Sequence, residues 1–189
     1  MIVGRTGTGK SFLARKIYTL WPRRIIFDPH CEHESESGDA HAWNPFHVVT
    51  PDAKYAAELA LAAGDCILVY DDAMTYLTHP LPSPFSDIVA GGRHRQISIL
   101  AITQRLPDVA PAFRAQVDVM IAFKQTMRYD ARTLERDWGI SESKVRRLEG
   151  HEYLYEVYSD NKLIMVQSLN PSARRTDGDE GEQEELIKQ

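Results

Sequence analysis

GRTGTGKS, Gly4 to Ser11, stands behind only three residues, Met1, Ile2 and Val3. Its spacing is G-x-x-x-x-G-K-[ST], the pattern of a loop whose backbone N–H groups cradle phosphates. Glycines at 4, 7 and 9 let those amides converge on an anion without Cβ clashes, and a helix opening at Lys10 adds the positive end of its dipole. Lys10 is placed to reach the β and γ phosphates of a nucleoside triphosphate, and the Ser11 hydroxyl to ligate Mg2+. The loop assigns Gly4, Thr6, Gly7, Thr8, Gly9, Lys10 and Ser11 to phosphate binding.

Outward from the loop, Ile2 and Val3 read as a strand stub. Apolar residues Leu13, Ile17, Leu20 and Trp21 recur at helical spacing, which predicts a first helix from Lys10 to Trp21, stopped by Pro22. RIIFD (Arg24 to Asp28) is a short β-rich run, and a polar loop follows it. Thr50, Pro51 and Asp52 carry the cap, first-turn proline and early acid of a helix that ends at Gly64. ISILAIT (Ile97 to Thr103) and VDVMIAF (Val117 to Phe123) read as buried strands. Apolar strands separated by helical segments predict an α/β fold, a mostly parallel sheet flanked by helices. EYLYEVY and KLIMVQS, separated by Ser159, Asp160 and Asn161, predict a C-terminal β-hairpin.

A second chemical signal lies in CILVYDDA (Cys66 to Ala73). Five apolar residues deliver two acids where the strand ends, the layout of a strand buried on both faces of a parallel sheet. Asp71 there can hold Mg2+ through water, and Asp72 stands where a base for the attacking water belongs. An acidic cap for the next helix is the alternative reading of the same pair. The guanine-reading pattern N-K-x-D is absent: Asn161 and Lys162 continue into Leu163 and Ile164. ATP and Mg2+ are therefore the expected cofactors. A small-molecule kinase, which also carries such a loop on a chain of this length, stays open.

Composition sets bounds around these motifs. With 189 residues, 43% of them apolar, the chain suits one core, expected over residues 1–170, with a polar, Glu-rich disordered tail over 171–189. The formal net charge of −5 does not announce a nucleic-acid partner, although a local basic patch is compatible with it. Two cysteines, Cys31 and Cys66, build no disulfide framework, and no stretch reaches the roughly 18 apolar residues that a membrane span needs. A cytoplasmic protein, not inserted in a membrane, is expected.

Several stretches together resemble one family, the FtsK/HerA superfamily of P-loop DNA-translocating ATPases, including viral genome-packaging ATPases. IIFDPHCEH is similar to that family's second strand ending in D-P-H-G-E-Y, NPF (Asn44 to Phe46) to a later motif, and ILVYDDA to its Walker B strand. GGRHRQISILAITQRLPDVAPAFRAQVDVMIAF (Gly91 to Phe123) is similar to the family's G-R-x-x-x-I-x-x-x-x-x-T-Q-R-P stretch and the strand after it. The resemblance covers residues 1 to about 157. It implies that ISILAIT lies between the P-loop strand and the Walker B strand, so that Gln104 emerges between the two phosphate-handling sites as a sensor. It implies for Arg93 the part of a finger reaching the neighbouring subunit's ATP, with Arg95 and Arg105 as alternatives. It further implies a homo-oligomeric ring, a hexamer or pentamer, that moves double-stranded DNA through non-specific phosphate contacts. In a virus such a ring works in the host cytoplasm or on the virion, against a portal or capsid protein. A cellular helicase or conjugation ATPase is the family's other use of the same parts.

Three departures stand beside the resemblance. Asp72 replaces the family's Glu, Cys31 its Gly, and His33 its frequent Tyr; the brief first strand suggests a bare motor core without an accessory domain before it. Two further patterns have their own readings. His30, Cys31 and His33 are capable metal ligands but lack a second Cys/His pair at finger spacing. LERDWGISESKVRRL (Leu134 to Leu148) resembles a helix-turn-helix with Gly139 at the turn and Lys144, Arg146 and Arg147 available to DNA.

Overall fold

The computed structural model describes residues 1–30, 47–157 and, as backbone, 162–168. In chain order the elements are β1 (Ile2–Val3), α1 (Lys10–Tyr18), β2 (Arg24–Phe27), β3 (His47–Thr50), α2 (Ala53–Ala63), β4 (Cys66–Tyr70), α3 (Ala73–Tyr76), α4 (Phe85–Gly91), β5 (Ile97–Thr103), α5 (Pro111–Arg114), β6 (Val119–Phe123), α6 (Arg128–Trp138), α7 (Glu142–Arg147), β7 (Glu152–Val157) and β8 (Lys162–Ser168). The strands form one sheet in the order β3-β2-β4-β5-β1-β6-β7-β8. The first six run parallel, and β7 and β8 close one side as an antiparallel hairpin. β5 lies between β1 and β4, as the family resemblance implies.

Strand parity divides the core between the sheet's two faces. Ile25, Phe27, Leu68 and Tyr70 join the larger layer, under α2, α4, α6 and α7; Ile26, Ile67 and Val69 join the smaller, under α1. All five residues of β4 are buried, each large one contributing about 1.5–3 kcal/mol of hydrophobic stabilisation. On α2 the buried residues are Ala53, Ala56, Ala57 and Ala60, a stripe of small side chains at helical spacing that lets the helix lie close to the sheet.

Two sequence expectations shift. α1 ends at Tyr18 rather than Trp21: Leu20 donates its N–H to Ile17 and Trp21 to Tyr18 in a tightened final turn, which leaves Leu20 78% exposed. Thr50 does not cap α2. It ends β3, an edge strand absent from the sequence reading, and the cap is Asp52, whose carboxylate accepts the N–H groups of Lys54 and Tyr55. The helix-turn-helix stretch does form two helices, α6 and α7, with Gly139 between them at φ 68°. Cys31, His33, the NPF motif, the hairpin turn at 159–161 and the tail over 171–189 lie outside the described residues.

Candidate nucleotide site

In a parallel sheet, ligands bind outside the carboxyl ends of the strands, and there the loop after β1 meets the ends of β4 and β5. The Gly4 N–H donates to the Thr103 carbonyl at 3.2 Å and the Arg5 N–H to the Lys124 carbonyl at 3.3 Å, fastening the loop to β5 and to the segment after β6. A Cβ on Gly4 would fall 2.6 Å from the Phe123 Cβ, closer than real Cβ atoms approach, so glycine is required there for space. Gly7 and Gly9 are required for conformation, with φ of 79° and 96°. The Thr8 hydroxyl donates to the Arg5 carbonyl at 2.8 Å, and the Lys10 ammonium donates to the same oxygen at 2.9 Å. Lys10 is thus held, 8% exposed, inside the curl of the loop.

A cavity of about 470 Å3 opens over this loop. Of the sequence-assigned residues, Thr6, Gly7, Gly9, Lys10, Ser11, Asp71, Asp72 and Gln104 line it; Gly4 and Thr8 lie behind it as supports. Ser11 Oγ and Asp71 Oδ2 face each other at 3.5 Å. A hydroxyl beside a carboxylate is the hard-oxygen pair that suits Mg2+, with the remaining positions left to water and phosphate oxygens. Among the described residues no cluster of three His, Cys, Asp or Glu could hold a metal by itself.

Asp72 occupies a conformation few side chains tolerate, φ 67° and ψ 53°, one that short polar residues such as Asp accept more readily than others. One carboxylate oxygen accepts the Thr75 hydroxyl at 2.6 Å; the other, Oδ1, is buried without a hydrogen-bond partner. That oxygen belongs to a cavity-lining residue but is itself closed off from solvent. Gln104, directly after β5, is exposed at the cavity between the Lys10 and Asp71 sides. Arg105 turns away from it, 3.4 Å from Asp108 and 3.7 Å from Asp130. Burial holds the Asp130 carboxyl above the ordinary aspartate range, partly offset by that guanidinium.

Arg93 is not at this cavity. It sits ahead of the N-terminal end of β5, at the opposite edge of the sheet, donating to the Asp118 carboxylate at 2.6 Å with both side chains 70% exposed. Arg95 shares that edge and donates to the Leu61 carbonyl at 2.7 Å.

His151 carries no motif and was not singled out by the sequence. It lines the cavity just ahead of β7, with ring Nδ1 3.1 Å from the Thr8 carbonyl. A carbonyl only accepts, so Nδ1 carries the proton. Nothing in the sequence places residue 151 against residue 8; sheet order does. Phe12, His30, Met74, Ile102 and Thr103 complete the lining.

No protein-family profile matches the chain, and no curated protein matches it at a significant level. Solved structures do. The genome packaging NTPase B204 from Sulfolobus turreted icosahedral virus 2, in complex with AMPPCP, aligns with a TM-score of 0.72 over 88% of this chain and 95% of its own, at 19% identity. The fold is that of a P-loop NTPase. B204, the DNA-packaging ATPase of Sulfolobus turreted icosahedral virus, gives a TM-score of 0.68 over 88% of this chain and 93% of its own, at 23% identity. A third structure, the pCW3 conjugation coupling protein TcpA in monomer form with ATPγS, gives 0.57 over 91% of this chain and 61% of its own, at 12% identity. The neighbours thus include viral packaging and conjugation proteins, the two settings that the sequence resemblance names.

Proposed function

We propose that this chain is an ATPase and the motor core of a double-stranded DNA translocase, of the viral genome-packaging type, working as a homo-oligomeric ring. The observation that carries the reading is the placement of β5 between β1 and β4, which puts the Gln104 amide in one cavity with Lys10, Ser11, Asp71 and Asp72. An amide there can donate to a γ-phosphate oxygen and accept from the attacking water, so the presence of the terminal phosphate is read at the strand end.

In this reading Lys10 neutralises the β and γ phosphates from within the loop, and Ser11 and Asp71 would hold Mg2+, which would supply further charge neutralisation. The Asp72 carboxylate takes a proton from water aligned with the γ-phosphorus. The bond from that water's oxygen to the γ-phosphorus forms as the bond to the β-γ bridging oxygen breaks, leaving ADP and phosphate. Asp72 is one methylene shorter than a glutamate, and its left-handed backbone sets where the carboxylate points.

Arg93 can act only on another subunit's nucleotide, since its own cavity is at the other edge of the sheet; a ring supplies such a neighbour. DNA would be gripped through its phosphates, and a few basic residues per subunit suffice when five or six subunits share the work, which fits the chain's acidic balance. Residues 1–170 would form the motor and 171–189 a tail outside it. A portal or capsid protein would be its viral partner, in the host cytoplasm or at the virion. Among the described residues no helix is long and apolar enough to cross a membrane.

ATP turnover measured with and without long duplex DNA, alongside native mass, tests the reading. Stimulation by duplex and a ring-sized mass are expected. Turnover indifferent to DNA that instead consumes a small phosphate acceptor would identify a kinase and overturn it.

A further inference from the structure

The α6–α7 stretch, residues 124–147, carries seven cationic and four acidic side chains in a chain whose formal net charge is −5. Within it, three arginines converge on one carboxylate. Arg128 Nε lies 3.1 Å and Arg146 Nη1 3.5 Å from Glu142 Oε1, and Arg132 Nε lies 3.3 Å from Glu142 Oε2. Glu142 is 18% exposed, whereas the three arginine side chains are 66%, 59% and 46% exposed.

One guanidinium would neutralise Glu142 and clamp α7 to α6, so three leave two positive charges in excess at the surface. Arg128 and Arg132 spend their Nε groups on the carboxylate, and their terminal Nη pairs form no hydrogen bond with the described residues. A guanidinium anchored at Nε has lost much of its rotamer freedom and still presents a two-pronged fork, the geometry that matches a phosphate. The cluster stands at the carboxyl edge of the sheet, since α6 follows β6 and the Gln125 N–H donates to the Val145 carbonyl of α7 at 3.4 Å.

We propose that Arg128, Arg132 and Arg146, gathered by Glu142, form the surface through which this chain grips the phosphate backbone of duplex DNA, an assignment that rests on the DNA-translocase reading. The contact is independent of base sequence. It uses the helix pair without placing either helix in a groove, which separates it from the helix-turn-helix reading.

The test is fluorescence anisotropy of two labelled duplexes of unrelated sequence with the full chain, titrated from about 50 to 200 mM salt. Arg128→Gln/Arg132→Gln is compared with Lys16→Gln/Lys54→Gln, which removes the same charge from α1 and α2. The first pair is expected to lower the slope of log affinity against log salt by about 1.8 or more, and affinity by about tenfold, for both duplexes alike, with an unchanged melting temperature. The control pair is expected to leave the slope near wild type. Should the double variant melt early, each single substitution, expected to remove about half of that slope, carries the same test. Equal losses in both pairs reduce the effect to bulk charge and overturn the proposal, as does an unchanged slope in the first. DNA affinity that persists while ATP turnover disappears, and returns on mixing with Lys10→Ala subunits, would assign these arginines to a neighbour's nucleotide and also overturn it. If the wild-type ring binds no duplex, the translocase reading fails first and this surface with it; wild-type binding matched by the variant sinks this surface alone.

Discussion

Gly4→Ala should damage the protein through a single contact. The added methyl would lie 2.6 Å from the Phe123 Cβ, and ordinary contact begins near 3.4 Å, so the loop and β6 must part by about 0.8 Å. Phe123 cannot yield by a rotamer change, because its Cβ is fixed to the backbone of a central strand, and the residue is fully buried. Overpacking of this kind costs about 1–3 kcal/mol. Near the middle of that range, about 2 kcal/mol, the melting temperature of a chain this size falls by about 4–8 °C. The displacement also moves the phosphate cradle away from Asp71 and Gln104, and misplacement on the order of 1 Å can reduce turnover by about 100-fold. Gly91→Ala is the internal control. It ends α4 at ordinary φ, a Cβ there meets nothing within 4 Å, and the substitution should stabilise by about 0.5–1 kcal/mol. Thermal melts and steady-state turnover on both variants check the pair. Equal stability of Gly4→Ala and Gly91→Ala would refute the steric argument.

Lys10→Ala, which removes the hydrogen bond to the Arg5 carbonyl among its contacts, should abolish hydrolysis and leave the fold intact; full turnover in that variant would remove the P-loop assignment. If Arg93 acts across an interface, mixing Arg93→Ala with Lys10→Ala subunits should restore some activity, and no recovery at any ratio would return Arg93 to its surface pair with Asp118. His151→Ala, which removes the ring held on the Thr8 carbonyl, should raise the KM for ATP about fivefold, the equivalent of about 1 kcal/mol, without changing the salt slope of DNA binding; an unchanged KM would make the contact incidental. Burial raises the Glu156 carboxyl above the ordinary glutamate range, with Oε2 unpartnered. The folded state therefore holds this proton more tightly than the unfolded chain, and its stabilising contribution, full below the unfolded pKa, is lost as pH rises through the folded value. Glu156→Gln should flatten that part of the stability-versus-pH curve and raise stability at neutral pH, as denaturant melts across the range would show.

The parts of the site carried by local pattern were legible in the sequence. GRTGTGKS and CILVYDDA declare a strand end, a turn and a chemical group within a few residues, because backbone conformation and chemistry are there imposed by the same short segment. Gln104 needed more, since its place depends on β5 lying between two strands that are distant in the chain, and the family resemblance supplied that order. β3 escaped notice because HVVT is only four residues long and Pro51 follows it at once. His151 and the Glu142 cluster were not legible for a different reason: each is a meeting of side chains whose partner is chosen by tertiary packing. The Arg93 position shows the converse, a residue named by pattern whose distance from its own cavity emerges only from the direction of β5.

The alternation along β4 fixes more than the two halves of the core. Ile67 and Val69 face α1 while Leu68 and Tyr70 face the other helices, so the direction in which Asp71 leaves the strand is decided by whether the count of residues before it is odd or even. Gaining or losing one residue between 66 and 70 would turn the acid pair toward the wrong side at the same moment that it turned the strand's apolar set inside out. Lineages of this protein can therefore vary in length between their strands far more readily than within this one.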